Sequence, residues 1–126
     1  MSLRTPLGRV LGLGSAKDGT SHWWGQRVSA VALLLLGLWF AFALATMSAF
    51  SHADVIAFVA KPINGVLLLL LTAALAYHSY LGIQVVIEDY IHAPGSKVLS
   101  LLLSRFLHAL LGVAGIYAIL KIGLGA

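Results

Sequence analysis

The chain has 126 residues, of which 60% are hydrophobic and 10% charged, with a formal net charge of +4 and a mean hydropathy of +0.99. A soluble domain of this length cannot bury so large an apolar fraction, so the composition excludes a water-soluble globular protein. The positive net charge fits a protein at the inner face of a membrane, and no nucleic-acid partner is needed to explain it. The lack of cysteine excludes disulfides, cysteine-ligated clusters and thiol chemistry within the chain.

Three apolar stretches are long enough to cross a hydrocarbon core about 30 Å thick, which requires roughly 20 helical residues. They cover 28–47, 62–87 and 98–120, and they predict helices over about 28–50, 62–89 and 97–121. Strand-like alternation is absent, which does not support a membrane barrel. The predicted fold class is therefore all-α, an integral membrane protein with three transmembrane helices. We expect an amino-terminal segment, 1–27, followed by a three-helix transmembrane domain, 28–126.

The amino-terminal segment is rich in glycine, serine and basic residues, and it ends with the interfacial aromatic pair Trp23 and Trp24. The connector 48–61, which follows the first predicted helix, contains only one basic residue, Lys61. Four basic residues precede that helix: Arg4, Arg9, Lys17 and Arg27. Because cytoplasmic segments carry the excess of lysine and arginine, the amino terminus is expected in the cytoplasm and the carboxyl terminus on the opposite side.

The second predicted helix contains His78, about ten residues from its inner end and therefore roughly 15 Å deep. An ionisable residue near the bilayer midplane is costly, and three roles explain it: a haem ligand, a link in a proton path, or a hydrogen-bonded packing residue. Asp89 follows eleven residues later, on the same helical face within about 20°. Gly82 and Val85 share this face, so a flat cofactor or a neighbouring helix is expected to press against it.

Asp89 and Tyr90 fall where the second helix reaches the inner interface. One interpretation is an ordinary solvated helix end with an interfacial tyrosine. The other is a quinone headgroup site, in which the phenolic hydroxyl binds a carbonyl and the pair helps to relay protons. A carboxylate at a helix carboxyl end is unfavourable against the helix dipole, which predicts an arginine partner from elsewhere.

The third predicted helix aligns Arg105, His108, Gly112 and Gly115 at spacings of three, four and three, which gives one polar and small face. His108 is about as deep as His78, so depth alone does not decide which histidine would bind iron. Arg27 and Arg105 lie toward the inner side. Each either extends to the lipid headgroups or pairs with a buried anion such as a haem propionate.

The run from His78 to His92 resembles the signature of the small membrane-anchor subunit of succinate dehydrogenase, respiratory complex II. The pattern is a histidine, a glycine four residues later, and Asp-Tyr eleven and twelve residues later. The segments 12–19, 22–24 and 26–30 are similar to the alphaproteobacterial form, so the resemblance covers essentially the whole chain. It implies that the three helices pack with a partner anchor subunit into a helical bundle in the bacterial inner membrane.

The resemblance also implies roles for individual residues. His78 would be one axial ligand of the haem b iron, the second ligand coming from the partner cytochrome b anchor subunit, and Arg27 would lie near the haem propionates. Tyr90 would donate a hydrogen bond to a ubiquinone carbonyl, while Asp89 would orient an arginine of the partner anchor. No clear role is implied for His22, Ser29, Arg105 and His108.

The implied function is that of a non-flavin subunit of succinate:ubiquinone oxidoreductase, which serves the tricarboxylic acid cycle and respiratory electron transport. FAD and iron–sulfur clusters would reside only in the flavoprotein and iron–sulfur subunits, and this chain alone would have no complete activity. Cofactors would thus carry the redox chemistry. Three alternatives are an anchor of a quinol:fumarate reductase-like complex, a small transporter or channel subunit, and a purely structural anchor.

Overall fold

The computed structural model describes residues 5–10 and 19–125, and almost all of this part of the chain is helical. Within it, five helices follow one another: α1, Pro6–Val10; α2, Gly19–Ala45; α3, His52–Ala60; α4, Pro62–Tyr90; and α5, Pro94–Gly123. Helices α2, α4 and α5 are each long and apolar enough to cross a membrane. The predicted all-α fold with three transmembrane helices is confirmed.

The bounds of the first membrane helix differ most from those predicted. Helix α2 begins at Gly19 rather than at 28, and it ends at Ala45 rather than at 50. The early start has a physical reason: hydropathy marks only the lipid-facing residues, whereas the helical hydrogen-bond pattern continues through polar interfacial residues. At the other end, the Thr46 hydroxyl donates to the carbonyls of Phe42 and Ala43, which competes with continuation of the helix.

The other two membrane helices lie close to their predicted ranges. Helix α4 starts at Pro62, as predicted, and ends at Tyr90 instead of 89; α5 spans Pro94–Gly123 instead of 97–121. Both helices have proline in the first turn, where its missing N–H removes no intrahelical hydrogen bond. Lys97 of α5 donates from Nζ to the Glu88 carbonyl at 2.8 Å, which satisfies a free carbonyl near the end of α4.

Helix α3 occupies the connector 48–61, which the sequence analysis treats only as a link between spans. Ser51 caps its amino end, and the side chain of Asp54 returns to the Ser51 backbone N–H, which completes a capping box. The helix packs against α4 and α5, and its Phe58 stacks on Trp39 of α2 with ring centroids 6.3 Å apart. Asn64 of α4 donates to the Phe58 carbonyl at 2.9 Å and fixes the corner between α3 and α4.

Helix α4 is the central element of the fold. It packs against α2 on one side and α5 on the other, while the backbones of α2 and α5 do not approach each other in the described part of the chain. This row of three helices encloses very little: the buried hydrophobic residues among those described are Val59, Leu81 and Ile87. Long apolar faces of α2 and α5 therefore remain available to lipid and to other membrane helices.

Glycines allow close helix contact at both interfaces of α4. A Cβ atom at Gly25 of α2 would lie 2.6 Å from the Tyr77 hydroxyl oxygen, and one at Gly115 of α5 would lie 2.9 Å from Thr72 Cγ2. In lipid, where burial of apolar surface drives helix association weakly, small residues stabilise packing by letting backbones approach. The small face predicted for the third span therefore packs against α4.

We expect Gly115→Leu to destabilise the protein, because the added side chain would collide with α4 and force the two helices apart. Overpacking of this kind lowers the free energy of unfolding by about 1–3 kcal/mol. The measurement is the midpoint temperature of the detergent-solubilised protein, followed by size-exclusion chromatography after heating. Gly37→Leu is the matched control, because no atom lies within 4 Å of a Cβ at that position. Equal midpoints for the two variants would contradict the prediction.

Candidate functional site

The two histidines inside the membrane spans face different helices. His78 of α4 points toward α2, and His108 of α5 points toward α4. Both are only partly exposed, and each lies beside a buried serine, Ser29 for His78 and Ser104 for His108. These serines are the buried polar side chains among the described residues. Each interface of α4 therefore combines a histidine with a hydroxyl group.

The His78 ring contacts α2 through both nitrogens. Its Nδ1 lies 2.9 Å from Ser29 Oγ, and its Nε2 lies 3.3 Å from the amide nitrogen Nε2 of Gln26. The same serine oxygen is 2.7 Å from the Gly25 carbonyl, one helical turn earlier. On α4, Gly82 lies beside the Gln26 side chain: a Cβ atom at this glycine would make an ordinary van der Waals contact, 3.6 Å, with Gln26 Nε2. The predicted close approach to this histidine face is made here by α2.

Two buried polar atoms on α2 lack hydrogen-bond partners within the described residues. They are His22 Nε2 and Gln26 Oε1, one helical turn apart. Leaving a buried polar atom unpaired costs about 1–3 kcal/mol, so native proteins rarely tolerate it without a reason. His22, Gln26 and Ser29 form a polar row on α2 at spacings of four and three, and the last two contact the His78 ring.

His108 is held more tightly than His78. Its Nδ1 lies 2.7 Å from the Ser104 carbonyl, and its Nε2 lies 3.0 Å from Ser79 Oγ of α4. A carbonyl only accepts, so Nδ1 carries the proton and Nε2 accepts from the serine hydroxyl. The Tyr80 ring meets the imidazole edge with centroids 6.1 Å apart. Nδ1 is thus used in a hydrogen bond within α5, and Nε2 in one between α5 and α4. This use of both nitrogens is typical of a histidine that holds two helices together.

The two candidate arginines lie outside these interfaces. Arg27 is exposed, and its guanidinium lies 5.3 Å from the centroid of the Trp23 ring, within the range of a cation–π interaction. It directly follows Gln26, but it makes no contact with His78. Arg105 is exposed too, and it borders a groove of about 330 Å³ between α4 and α5 that His108 and Tyr80 also line.

Asp89 and Tyr90 form the last turn of α4, and both are exposed, Tyr90 by 80%. Neither side chain hydrogen-bonds to another residue within 5–10 or 19–125. Eleven residues separate Asp89 from His78, which corresponds to about 17 Å along a continuous helix. The structure therefore keeps the Asp-Tyr pair apart from the histidine, with a separation fixed by α4, and leaves the pair open to molecules outside this chain.

Among the described residues, no three histidine, cysteine or acidic side chains come close enough to hold a metal ion together. A metal bound by such side chains of the described residues would therefore need further ligands from outside this part of the chain. Sequence reasoning missed the contacts of Gln26 and Ser29 with His78, and that of Ser79 with His108. The only sequence signal for the contacts with His78 is that Gln26 and Ser29 are polar residues three positions apart on an otherwise apolar helix.

Comparison with known proteins gives consistent matches. Residues 1–114 match the family described as succinate dehydrogenase/fumarate reductase transmembrane subunit. The chain is 31% identical over 122 residues to the succinate dehydrogenase hydrophobic membrane anchor subunit of Paracoccus denitrificans, which covers 97% of this chain and 94% of that one. It is 42% identical over 90 residues to the same subunit of Rickettsia bellii, which covers 70% of each chain. These matches confirm the resemblance drawn from the run His78 to His92.

A double-mutant cycle on Ser79→Ala and His108→Leu should give a coupling of about 0.6 kcal/mol and at most about 1.7 kcal/mol, the range for hydrogen bonds between membrane helices. The measurement is the free energy of unfolding in detergent micelles. The control cycle pairs His108→Leu with Ser100→Ala, two turns earlier on α5, and is expected to be additive. Additivity in both cycles would show that the Ser79 contact contributes nothing.

Proposed function

Since the chain belongs to the family of succinate dehydrogenase/fumarate reductase transmembrane subunits, we propose that it serves succinate:ubiquinone oxidoreductase as a haem- and quinone-binding membrane anchor. In this proposal the chain provides one axial ligand of haem b and part of the ubiquinone-reduction site. The supporting observation is the layout of α4, which carries a histidine within the membrane and an exposed Asp-Tyr pair at its end.

His78 fits the requirements of a haem ligand. Its Nδ1 is engaged by a buried hydroxyl, whereas its Nε2 meets only a flexible glutamine amide at 3.3 Å. Imidazole ligands of metals typically have their second nitrogen fixed in this way. The unpartnered atoms His22 Nε2 and Gln26 Oε1 provide further polar capacity beside the ring. His108 fits less well, because both of its nitrogens make short hydrogen bonds that hold α5 to α4.

Haem b, when bound, supplies a centre that accepts and returns single electrons. We propose that His78 would hold its iron through Nε2, which only the Gln26 amide contacts among the described residues, and that the partner cytochrome b anchor would provide the other ligand. Arg27 would pair with the propionates, because its charge lies at the inner end of α2 beside the polar row. A single iron-binding histidine from this chain, His78, and the exposed helix faces agree with a site shared between two subunits.

Ubiquinone reduction would take place at the inner end of α4. The Tyr90 hydroxyl is exposed and donates a hydrogen bond to a quinone carbonyl, which orients the headgroup and favours the build-up of negative charge on that oxygen. Asp89 lies beside it and has no cation of its own chain to pair with in the described residues. Its carboxylate orients an arginine of the partner anchor toward the same site. Two protons and two electrons convert the quinone to the quinol.

The remaining partners follow from the surfaces of the subunit. The apolar outer faces of α2 and α5 would contact lipid and the cytochrome b anchor, while the iron–sulfur and flavoprotein subunits would bind at the inner side, where succinate is oxidised. Arg27, Lys97 and Arg105 lie at this end of the spans, and Lys61 and Lys121 at the other. This distribution supports a cytoplasmic amino terminus and a periplasmic carboxyl terminus in the bacterial inner membrane. The relatives named for succinate dehydrogenase favour succinate oxidation over fumarate reduction.

Tyr90→Phe is expected to lower the rate of succinate-dependent ubiquinone reduction at least about tenfold, because the lost hydroxyl removes a hydrogen bond and a proton donor. Electron transfer from succinate to an artificial dye that bypasses the quinone site should stay normal, as should haem absorption. Tyr117→Phe, another exposed tyrosine near the opposite end of the spans, is the control. Unchanged ubiquinone reduction, or a defect that comes with failed assembly, would argue against the role of Tyr90.

His78→Ala is expected to remove or alter the haem absorption of the purified complex, since one axial ligand is lost. The measurement is the dithionite-reduced minus oxidised spectrum per assembled complex, quantified by its flavin content. His108→Ala is the matched control and should retain the normal haem band, even if the complex becomes less stable. A normal spectrum for His78→Ala would reject it as the ligand, and loss of haem only in His108→Ala would transfer the role to His108.

A further inference from the structure

We propose that Ser29 is a positioning residue for His78. Its hydroxyl oxygen accepts a hydrogen bond from Nδ1–H, and so holds the imidazole in the tautomer whose Nε2 lone pair is available to a metal. The direction of this hydrogen bond follows from the contacts between α2 and α4. Its consequence for haem rests on the proposed function, in which His78 binds the haem iron.

The direction of the hydrogen bonds follows from the Gly25 carbonyl. Ser29 Oγ lies 2.7 Å from this oxygen, which only accepts, so the single hydroxyl proton is donated to it. The serine then offers only lone pairs to His78 Nδ1 at 2.9 Å. Because two acceptors at this distance would repel, Nδ1 must carry the proton. The helical backbone of α2 therefore determines the tautomer of a histidine on α4.

The contact of Gln26 with the other ring nitrogen of His78 is consistent with a protonated Nδ1. With the one proton of the neutral imidazole on Nδ1, Nε2 is an acceptor, and the Gln26 amide nitrogen is placed 3.3 Å from it as a donor. The amide oxygen then points away, which accounts for the unpartnered Gln26 Oε1. At 3.3 Å this is a weak contact from a flexible side chain, which rotates aside without movement of the α2 backbone.

Burial makes the contact with Ser29 well defined. Ser29 is 6% exposed, and it lies one turn after Gly25, where the close contacts with Tyr77 and Leu81 bring α2 and α4 together. Water therefore does not compete for the hydroxyl, and the ring cannot turn without losing its Nδ1 partner. Of the two histidines within the spans, only His78 has a weak and displaceable neighbour at Nε2.

An acceptor on Nδ1–H makes imidazole a more basic ligand, which favours ferric over ferrous iron and lowers the reduction potential. Removing the acceptor with Ser29→Ala is therefore expected to raise the haem midpoint potential of the purified complex. Outer-shell substitutions change metal affinity by about tenfold or more, and a tenfold change in the ferric-to-ferrous affinity ratio is about 59 mV for one electron.

The experiment compares three variants by redox titration of the haem in the intact complex. Ser29→Ala deletes only the hydroxyl, Ser29→Thr retains it, and Ser104→Ala deletes the other buried serine hydroxyl, beside His108. The proposal expects a higher potential in Ser29→Ala alone. Loss of haem from an assembled Ser29→Ala complex that Ser29→Thr restores also supports it. An unchanged potential in Ser29→Ala, or equal defects in the Ala and Thr variants, overturns it.

A second measurement is independent of haem. In the complex produced in haem-deficient cells with ¹⁵N-labelled histidine, the His78 signals are identified by their absence from His78→Ala. We expect a protonated Nδ1 and an unprotonated Nε2, and a loss of this preference in Ser29→Ala. The opposite tautomer in the unsubstituted complex overturns the proposal. If His78→Ala retains a normal haem spectrum, the haem assignment fails while this measurement still decides the role of Ser29.

Discussion

The fold depends on the contacts that α4 makes with one neighbouring helix on each side. Each of these contacts pairs a histidine with a serine hydroxyl. His78 meets Ser29 of α2, and His108 of α5 meets Ser79 of α4. In lipid, apolar surface gains little by exchanging acyl chains for another helix, so polar contacts and small residues determine which faces associate. Gly25 and Gly115 permit the approach, and the hydrogen bonds determine the rotational setting of each helix.

The same constraint separates structural from functional groups along α4. His108 and Ser79 hold the α5 side with both imidazole nitrogens engaged, whereas the α2 side leaves His78 Nε2 with only a glutamine amide. At its carboxyl end α4 leaves the side chains of Asp89 and Tyr90 exposed, and neither side chain hydrogen-bonds to another described residue. In the proposed function, α4 joins two incomplete sites, and each would be completed by groups from other subunits. That is consistent with membership of a membrane oxidoreductase complex.

Sequence patterns predicted the helices far better than their contacts. Hydropathy located α4 and α5 within a few residues, because their ends coincide with proline and with the end of the apolar run. It missed the nine-residue helix α3, although Ser51 and Asp54 have the spacing of a capping box. It also placed the start of α2 too late, because hydropathy does not register the polar interfacial turns that carry His22 and Gln26.

The partners of His78 and His108 lay beyond sequence reasoning for a different reason. Helical periodicity identifies which residues share a face, but it does not tell which helix that face meets.

The most direct test of the proposed function is a dithionite-reduced minus oxidised optical spectrum of the native complex, purified gently through a tag on this chain, with its copurifying subunits identified. The account predicts a b-type haem band together with flavoprotein and iron–sulfur subunits. Recovery of the chain with neither haem nor those subunits would contradict it and favour a small transporter or channel subunit.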